Sequence, residues 1–461
     1  MMQFRNGYIY FSVLSVNLMS MVCAIGYAWT SPALPKLDGK LGTENNPLSR
    51  PTTVLENSWI TSLHSLGAAF CPLFIGIVAN KYGRKNTLII FSLPMLASNV
   101  LLIFANTVPH FYIARLLMGV GTGCVFSVIP LYVAEISSVK NRGFTSMFLS
   151  VMMSFQQLLI YIIGPYVTIR ILAIISLIPS ILFLILFGLF VPESPYYLIM
   201  DNRRDEAVKS LTKLRQISEN KAEKEILDII DSVEKSKTGT SLKDVIKSKI
   251  VFKCLYISIG LMFFQQFTGI LAILPYLQTI FDATNTSIPG DISVMIIGLL
   301  QLLTTSLTSK IVDIVGRKKL LIASNMGVFL SLVSLGTYFY FQANNFDVSK
   351  LYWLPISSII TYTICYNFGL GPVVWTIVGE LFPPNLKTYL NGIATFFNIM
   401  CGFVISMLFP SLSIVLGMAW SVWIFAIFTA FSFAFFALFV PETRGRTFLE
   451  IQCMLREGKI K

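Results

Sequence analysis

A group of side-chain amides stands inside otherwise apolar stretches of this chain: Gln156, Gln157, Gln265, Gln266, Gln301, Asn367 and Asn398. An amide carries a donor and an acceptor together, and among apolar neighbours it must meet protein or water. Each one therefore ties helix to helix or grips a polar solute, and the residues alone leave both roles open. A second set is charged. Arg84, Glu135, Arg142, Glu193, Asp313, Arg317, Glu380 and Glu442 stand at the ends of apolar stretches. Charge in that position is costly unless paired or hydrated, so opposite signs are expected to meet there; charge that only sets orientation is the plainer alternative. Nothing resembles a reaction centre. No paired carboxylates, Ser/His set or metal-ligand cluster stands beside a span, and the 7 cysteines show no CxxC spacing. Neither an enzyme nor a metal or cofactor site is expected. His64, alone in an apolar stretch, reads as a structural donor.

The elements that must hold these residues are membrane helices. Of 461 residues 55% are hydrophobic and 13% charged, about half the charge of a soluble domain. Apolar blocks of about 20 residues, long enough to span a bilayer, fall near 9–30, 57–79, 87–106, 110–134, 144–166 and 170–191. After a polar stretch come 250–273, 291–312, 319–342, 352–378, 389–410 and 417–440. The chain is expected to be an all-α polytopic membrane protein of twelve helices in two six-helix halves, with the lipid bilayer as its partner. The divisions are a first half over 1–195, a helical linker over 196–249, a second half over 250–443 and a tail over 444–461. The first block follows a single basic residue, Arg5, and is too long for a signal-peptide core, so it reads as a retained span.

A net charge of +12 invites a nucleic-acid reading, but no basic stripe interleaved with aromatics is present. The basic residues sit in connections. With both termini on one side, 29 of the 35 Lys and Arg share that side with the linker, which the positive-inside rule makes cytoplasmic. Within the linker, Ala207, Leu211, Leu214, Ile226, Ile230 and Val233 recur at helical spacing. Short amphipathic helices lying under the spans and bridging the halves are expected.

The halves also repeat. Gly83-Arg84-Lys85 returns as Gly316-Arg317-Lys318, Glu135 as Glu380, and Val191-Pro192-Glu193-Ser194 as Val440-Pro441-Glu442-Thr443. Matched features in one order mark a parallel repeat, which places a substrate site near midplane between the halves. Gly119, Gly121 and Gly123 suit close helix packing. Gly369-Leu370-Gly371-Pro372 is the best candidate for a broken helix, and Pro130, Pro165 and Pro275 for bends.

Taken together the motifs identify a family. Asn80-Lys81-Tyr82-Gly83-Arg84-Lys85, Arg115-x3-Gly119-x-Gly121-x-Gly123, Pro130-Leu131-Tyr132-x2-Glu135 and Pro192-Glu193-Ser194-Pro195 occur in the first half. Gln265-Gln266-Phe267-Thr268-Gly269, Asp313-x2-Gly316-Arg317-Lys318, Gly369-x-Gly371-Pro372-x2-Trp375 and Pro441-Glu442-Thr443-x-Gly445-Arg446-Thr447 occur in the second. Over essentially its whole length the sequence resembles the sugar porters of the major facilitator superfamily. Thr30-Ser31-Pro32-Ala33-Leu34-Pro35 is similar to the insect facilitated trehalose transporters within it.

The resemblance implies facilitated transport of a small-molecule sugar, trehalose or a hexose such as glucose, by alternating access. It implies a multi-pass plasma-membrane protein working as a monomer. By the same resemblance the sugar is bound by Gln157, Gln265, Gln266, Gln301 and Asn367, with Trp375 stacking on its ring. Arg84, Glu135, Arg142, Glu193, Asp313, Arg317, Glu380 and Glu442 would then be gating residues, clamping the halves while the outer side is open. Asn285-Thr286-Ser287 is a glycosylation sequon on an outside loop.

Departures from the pattern carry information. Asn80 replaces the usual Asp, which predicts a first-half charge cluster weaker than the one around Asp313. Leu271 replaces a pocket Asn, Ile399 an aromatic and Gly402 a polar residue, so fewer polar ligands are expected. Proton-coupled members carry an Asp after the Tyr of a Gly-Tyr pair in the first span, facing an Arg in the fourth. Here Gly26-Tyr27 is followed by Ala28, while Arg115 remains, which implies uniport. A carrier of another organic solute, or a sugar sensor on this fold, is the alternative.

Overall fold

The computed structural model describes residues 7–39, 46–138, 141–237, 249–284, 289–382, 387–444, 450 and 454. Among them, 12 helices are long and apolar enough to cross a membrane. In order these spans are Gly7–Leu37, Val54–Tyr82, Arg84–Ile103, Val108–Ile136, Phe144–Tyr166 and Ile169–Phe190, then Ile250–Asp282, Gly290–Thr308, Arg317–Ala343, Ser349–Leu381, Tyr389–Val415 and Gly417–Phe439. Each sequence-predicted block falls on one of them. Their outward faces carry exposed Leu, Ile and Phe, among them Phe104, Leu189 and Phe252, which suits a helix with lipid on one side and protein on the other.

Three spans are broken. The first is a helix over Gly7–Ala28 followed by a short one over Thr30–Leu37. The seventh stops at Gln266, turns through Gly269 at φ +83°, and resumes as short pieces to Asp282. The tenth breaks at Gly369 between Leu354–Phe368 and Leu370–Leu381, the place expected from its glycines. The first and seventh spans run further than their apolar blocks. Lys36, expected in an outside loop, is only 2% exposed. Its ammonium donates to the Gly164 carbonyl at 2.5 Å and to the Val167 carbonyl, and this satisfied charge is what hydropathy alone misses.

The halves meet along two seams, the second span against the eleventh and the fifth against the eighth. These seams interchange under the repeat. Phe70 lies against Phe396 at 5.5 Å and Trp59 against Phe403 at 6.4 Å in the first seam. The Thr30–Leu37 helix also packs on the Leu274–Asp282 pieces, joining the halves at one membrane face.

The opposite face carries the linker, and is called the linker face below. Helices Pro195–Met200, Arg204–Arg215 and Glu219–Lys237 enclose a small core of Tyr197, Leu198, Leu211, Ala222 and Ile226. Ser210 Oγ donates to the Glu193 carbonyl at 2.6 Å, Lys213 Nζ to Phe190 at 3.0 Å and Arg215 Nη2 to Ser137 at 3.3 Å. Leu214 enters the core of the first half. Among the described residues these ties run to the first half, while most of the segment's apolar stripe packs into the linker's own core.

Candidate functional site

Side-chain amides lace the breaks of the seventh and tenth spans together. Gln265 Nε2 donates to the carbonyls of Leu370 at 2.8 Å and Gly371 at 3.0 Å, just past the tenth-span break. Tyr362 Oη donates to the Thr268 carbonyl at 3.2 Å. Asn398 of the eleventh span is the hub. Its Nδ2 donates to Met262 O at 3.1 Å and Gln265 Oε1 at 3.0 Å, while its Oδ1 accepts from Gln266 Nε2 at 2.9 Å. Gln265 was expected to be a ligand. It is 1% exposed with its amide engaged at both ends by protein, because the broken tenth span offers carbonyls at the right height.

Gln266 is different: its Oε1 is buried and has no partner. Gln301 Oε1 on the eighth span is in the same condition. Asn367 Nδ2 donates to Thr304 Oγ1 at 3.2 Å, and Thr308 Oγ1 donates to the Asn367 carbonyl at 3.0 Å, tying the tenth span to the eighth. Gln157 is buried on the fifth span. Trp375 is 37% exposed and stacks on Phe126 of the fourth span, centroids 6.2 Å apart at 5°. Phe126, Thr304 and Thr308 were missed in the sequence; the threonines carried a signal in their four-residue spacing, whereas Phe126 is one aromatic in an apolar run.

The departures also find their places. Ile399 packs with Ala68 and Ala69 of the second span, so it serves the seam between the halves. Leu271 and Gly402 face each other: a Cβ on Gly402 would stand 2.4 Å from Leu271 Cδ1 and 3.4 Å from Gln266 Oε1.

In the first half, Arg115 donates from Nε to the Ile60 carbonyl at 2.8 Å and from Nη1 to Gly26 at 2.6 Å. Its guanidinium lies 5.6 Å from the Trp29 ring centroid. Ala28 is fully buried, and what meets the Arg115 guanidinium is backbone carbonyls and a ring face. His64 Nε2 meets Thr122 Oγ1 at 3.0 Å, with the Tyr27 ring edge-on at 4.6 Å.

On the linker face opposite charges meet, but the two pairs described lie inside one half each and not between the halves, as a clamp would require. Arg84, 4% exposed, forks onto Glu135 with Nε–Oε2 at 3.0 Å and Nη2–Oε1 at 2.9 Å, and Ser194 Oγ donates to the same carboxylate. Arg317 Nη2 reaches Glu380 Oε1 at 3.4 Å, with the Glu380 side chain 32% exposed. The Arg84–Glu135 contact is the shorter of these two; the expected comparison with the cluster around Asp313 falls on a side chain outside those described. Glu135 gives Arg84 a bidentate partner whatever occupies position 80.

Glu193 and Glu442 do something else. Glu193 accepts from the backbone N–H of Arg84 at 3.2 Å and of Lys85 at 3.0 Å; Glu442 accepts from Arg317 at 3.0 Å and Lys318 at 3.1 Å. Each carboxylate thus caps the N-terminus of the third or ninth span, where unpaired N–H groups and the helix dipole favour an anion. Gly83 and Gly316, at φ +92° and +100°, leave the room: a Cβ on Gly83 would stand 2.2 Å from Glu193 Oε2. Burial pushes the Glu193 carboxyl above its ordinary value, against the pull of the Ser194 and Lys85 N–H groups and of Arg84. Arg142 opens the helix Arg142–Ile163 and Asp313 lies near the end of Gly290–Val315. Asn285 lies outside the described residues.

Known proteins align with this architecture. The facilitated trehalose transporter Tret1-2 homolog of Drosophila sechellia is 31% identical over 444 residues, covering 96% of this chain and 89% of that protein. The facilitated trehalose transporter Tret1 of Apis mellifera ligustica is 31% identical over 445 residues, covering 96% and 87%. Among solved structures, the proton:xylose symporter XylE bound to 6-bromo-6-deoxy-D-glucose matches with TM-score 0.77 and 25% identity, covering 98% of this chain and 100% of that one. XylE from E. coli in a partially occluded inward open conformation matches with TM-score 0.79 and 25% identity, covering 96% and 100%. The model of the sugar (and other) transporter family matches residues 12–455. With the fold, the repeat and that match in agreement, the chain belongs to the sugar transporter family of the major facilitator superfamily.

Proposed function

We propose that this protein is a facilitative sugar uniporter that carries trehalose, or a hexose such as glucose, down its gradient by alternating access between the two six-helix halves. The observation that carries the reading is that two of the buried, partnerless amide oxygens, Gln266 Oε1 and Gln301 Oε1, belong to the half whose tenth span presents the half-exposed Trp375. A buried acceptor left unpaired costs about 1–3 kcal/mol, and a sugar hydroxyl supplies the missing donor while the indole covers a ring face. Gln157 and Asn367 complete the proposed sugar contacts, and Gln265 positions the backbone behind them. The names of the trehalose-transporting relatives support the substrate class. Arg115, met by the carbonyls of Ile60 and Gly26, and Ala28 after Gly26-Tyr27 support transport without a proton.

In this reading the linker face is cytoplasmic, the membrane is the plasma membrane and the monomer is the working unit, a transporter with no enzymatic step. The linker-face pairs are latches inside each half that set its shape on that side. The test is uptake of labelled trehalose and glucose into cells expressing the chain. Saturable uptake that exchanges in both directions and never exceeds the external concentration is expected. Uptake equal to that of control cells, at verified surface expression, refutes it.

A further inference from the structure

Leu271 and Gly402 form a matched knob and hole at the edge of the amide cluster. Gly402 is buried, and the space a Cβ would take there is held by Leu271 Cδ1, 2.4 Å away. The same space borders the partnerless Gln266 Oε1, 3.4 Å from that Cβ position. Gln266 Nε2 is engaged by Asn398, so the free oxygen offers an incoming solute one acceptor with an isobutyl group beside it. A fully hydroxylated edge fits this corner poorly. One hydroxyl would be satisfied by Gln266, and its neighbour would lose water against Leu271 without compensation.

We propose that Leu271 and Gly402 are the specificity-determining pair of the site. On the transport reading above, on which this inference rests, the sugar turns toward the seventh and eleventh spans an edge with one donating hydroxyl. Beside that hydroxyl lies a carbon without a free hydroxyl: an acetal or ether position, as in a glycoside, or a deoxy carbon. The pair works as a unit. A methyl at position 402 drives the Leu271 tip out of its niche and across Gln266 Oε1, so Gly402→Ala loses substrate affinity, and Leu271→Ala in the same chain restores it.

The experiment is competition against labelled glucose and trehalose uptake by the positional O-methyl and deoxy derivatives of glucose. The same panel is scored by ligand-induced thermal stabilisation of the purified full chain, which reads the pocket whether or not flux occurs. In the unsubstituted protein at least one derivative should compete within about twofold of glucose. Leu271→Asn should weaken that derivative relative to glucose by about tenfold, the scale of one mismatched group in a pocket. Gly402→Ala should weaken every competitor, and the double variant should recover. The inference is overturned if each derivative falls more than about tenfold below glucose, or if Leu271→Asn leaves the ranking unchanged. Failure of uptake with the expected thermal ranking intact refutes transport and leaves the role of the Leu271–Gly402 pair standing. Stabilisation by no member of the panel overturns that role as well.

Discussion

Gln265→Leu and Gln266→Leu look alike in sequence and should part company in measurement. Gln265 makes three hydrogen bonds, to Leu370 O, Gly371 O and Asn398 Nδ2, all within the second half. Interhelical hydrogen bonds in membrane proteins are worth about 0.6 kcal/mol each on average and about 1.7 at most. The loss of all three therefore costs about 2 kcal/mol, with an upper bound near 5. Gln266 makes one such bond, to Asn398 Oδ1, and its other end has none to lose. Its removal should cost stability about a third as much, while depriving a bound hydroxyl of its acceptor. That loss of about 1–3 kcal/mol corresponds to roughly five- to 150-fold in affinity. Thermal melting of purified variants, with uptake kinetics at matched surface expression, separates the two. Gln265→Leu should lower the melting temperature and the turnover with modest change in KM; Gln266→Leu should raise KM with modest change in melting. A raised KM with unchanged melting for Gln265→Leu would make Gln265 a ligand, and an unchanged KM for Gln266→Leu would remove Gln266 from the site.

Arg84→Ala strands the buried Glu135 and should cost about 3–5 kcal/mol; a drop in melting temperature no larger than that of the exposed Lys350→Ala would contradict the buried fork. Because burial holds Glu193 above its ordinary 4.5, the folded chain keeps this proton where the unfolded chain releases it. Its contribution is therefore full below pH 4.5 and is lost as pH rises through the folded value. Glu193→Gln should flatten that decline in a melting series from pH 4.5 upward, and an unaltered slope would count against it. In proteoliposomes at fixed sugar concentration an imposed pH gradient should not change the uptake plateau; accumulation above the external concentration, abolished by a protonophore, would refute uniport and make His64 the first residue to substitute.

Much of the fold was legible because hydropathy has a length scale. A block of about 20 apolar residues has few alternatives to a spanning helix, and each such block became one. The repeat was legible because helix caps are local: Pro-Glu after one span and Gly-Arg-Lys before another recur wherever that corner is built. What hydropathy could not carry was the polar accounting at depth. Lys36 reads as a loop residue until the Gly164 and Val167 carbonyls receive it. Gln265 reads as a free amide until the tenth-span break presents its carbonyls. The Leu271–Gly402 niche depends on two positions 131 residues apart in the sequence, each unremarkable alone, and only the folded chain sets one against the other.

The repeat makes the halves alike in plan, and their differences bear on how a carrier of this shape could work. The fourth span runs unbroken over Val108–Ile136, with Gly119 and Gly123 pressed against backbone carbonyls of the second. Its repeat partner, the tenth, breaks at Gly369; the seventh breaks at Gly269 and resumes in short pieces, whereas its partner, the first, is interrupted only after Ala28 and resumes as one helix over Thr30–Leu37. The buried Arg84–Glu135 fork and the ties to the linker belong to the first half, whereas the 3.4 Å pair belongs to the second. So do both partnerless amide oxygens at the proposed site. A ligand hydrogen-bonded to Gln266 acts on a side chain linked through Asn398 to Gln265, and through Gln265 to backbone at the break. Binding free energy then falls on the hinge itself, and a ligand shifts a conformational equilibrium only by such differential contact. On the transport reading, the first half is the rigid reference and the sugar is held where the second half bends.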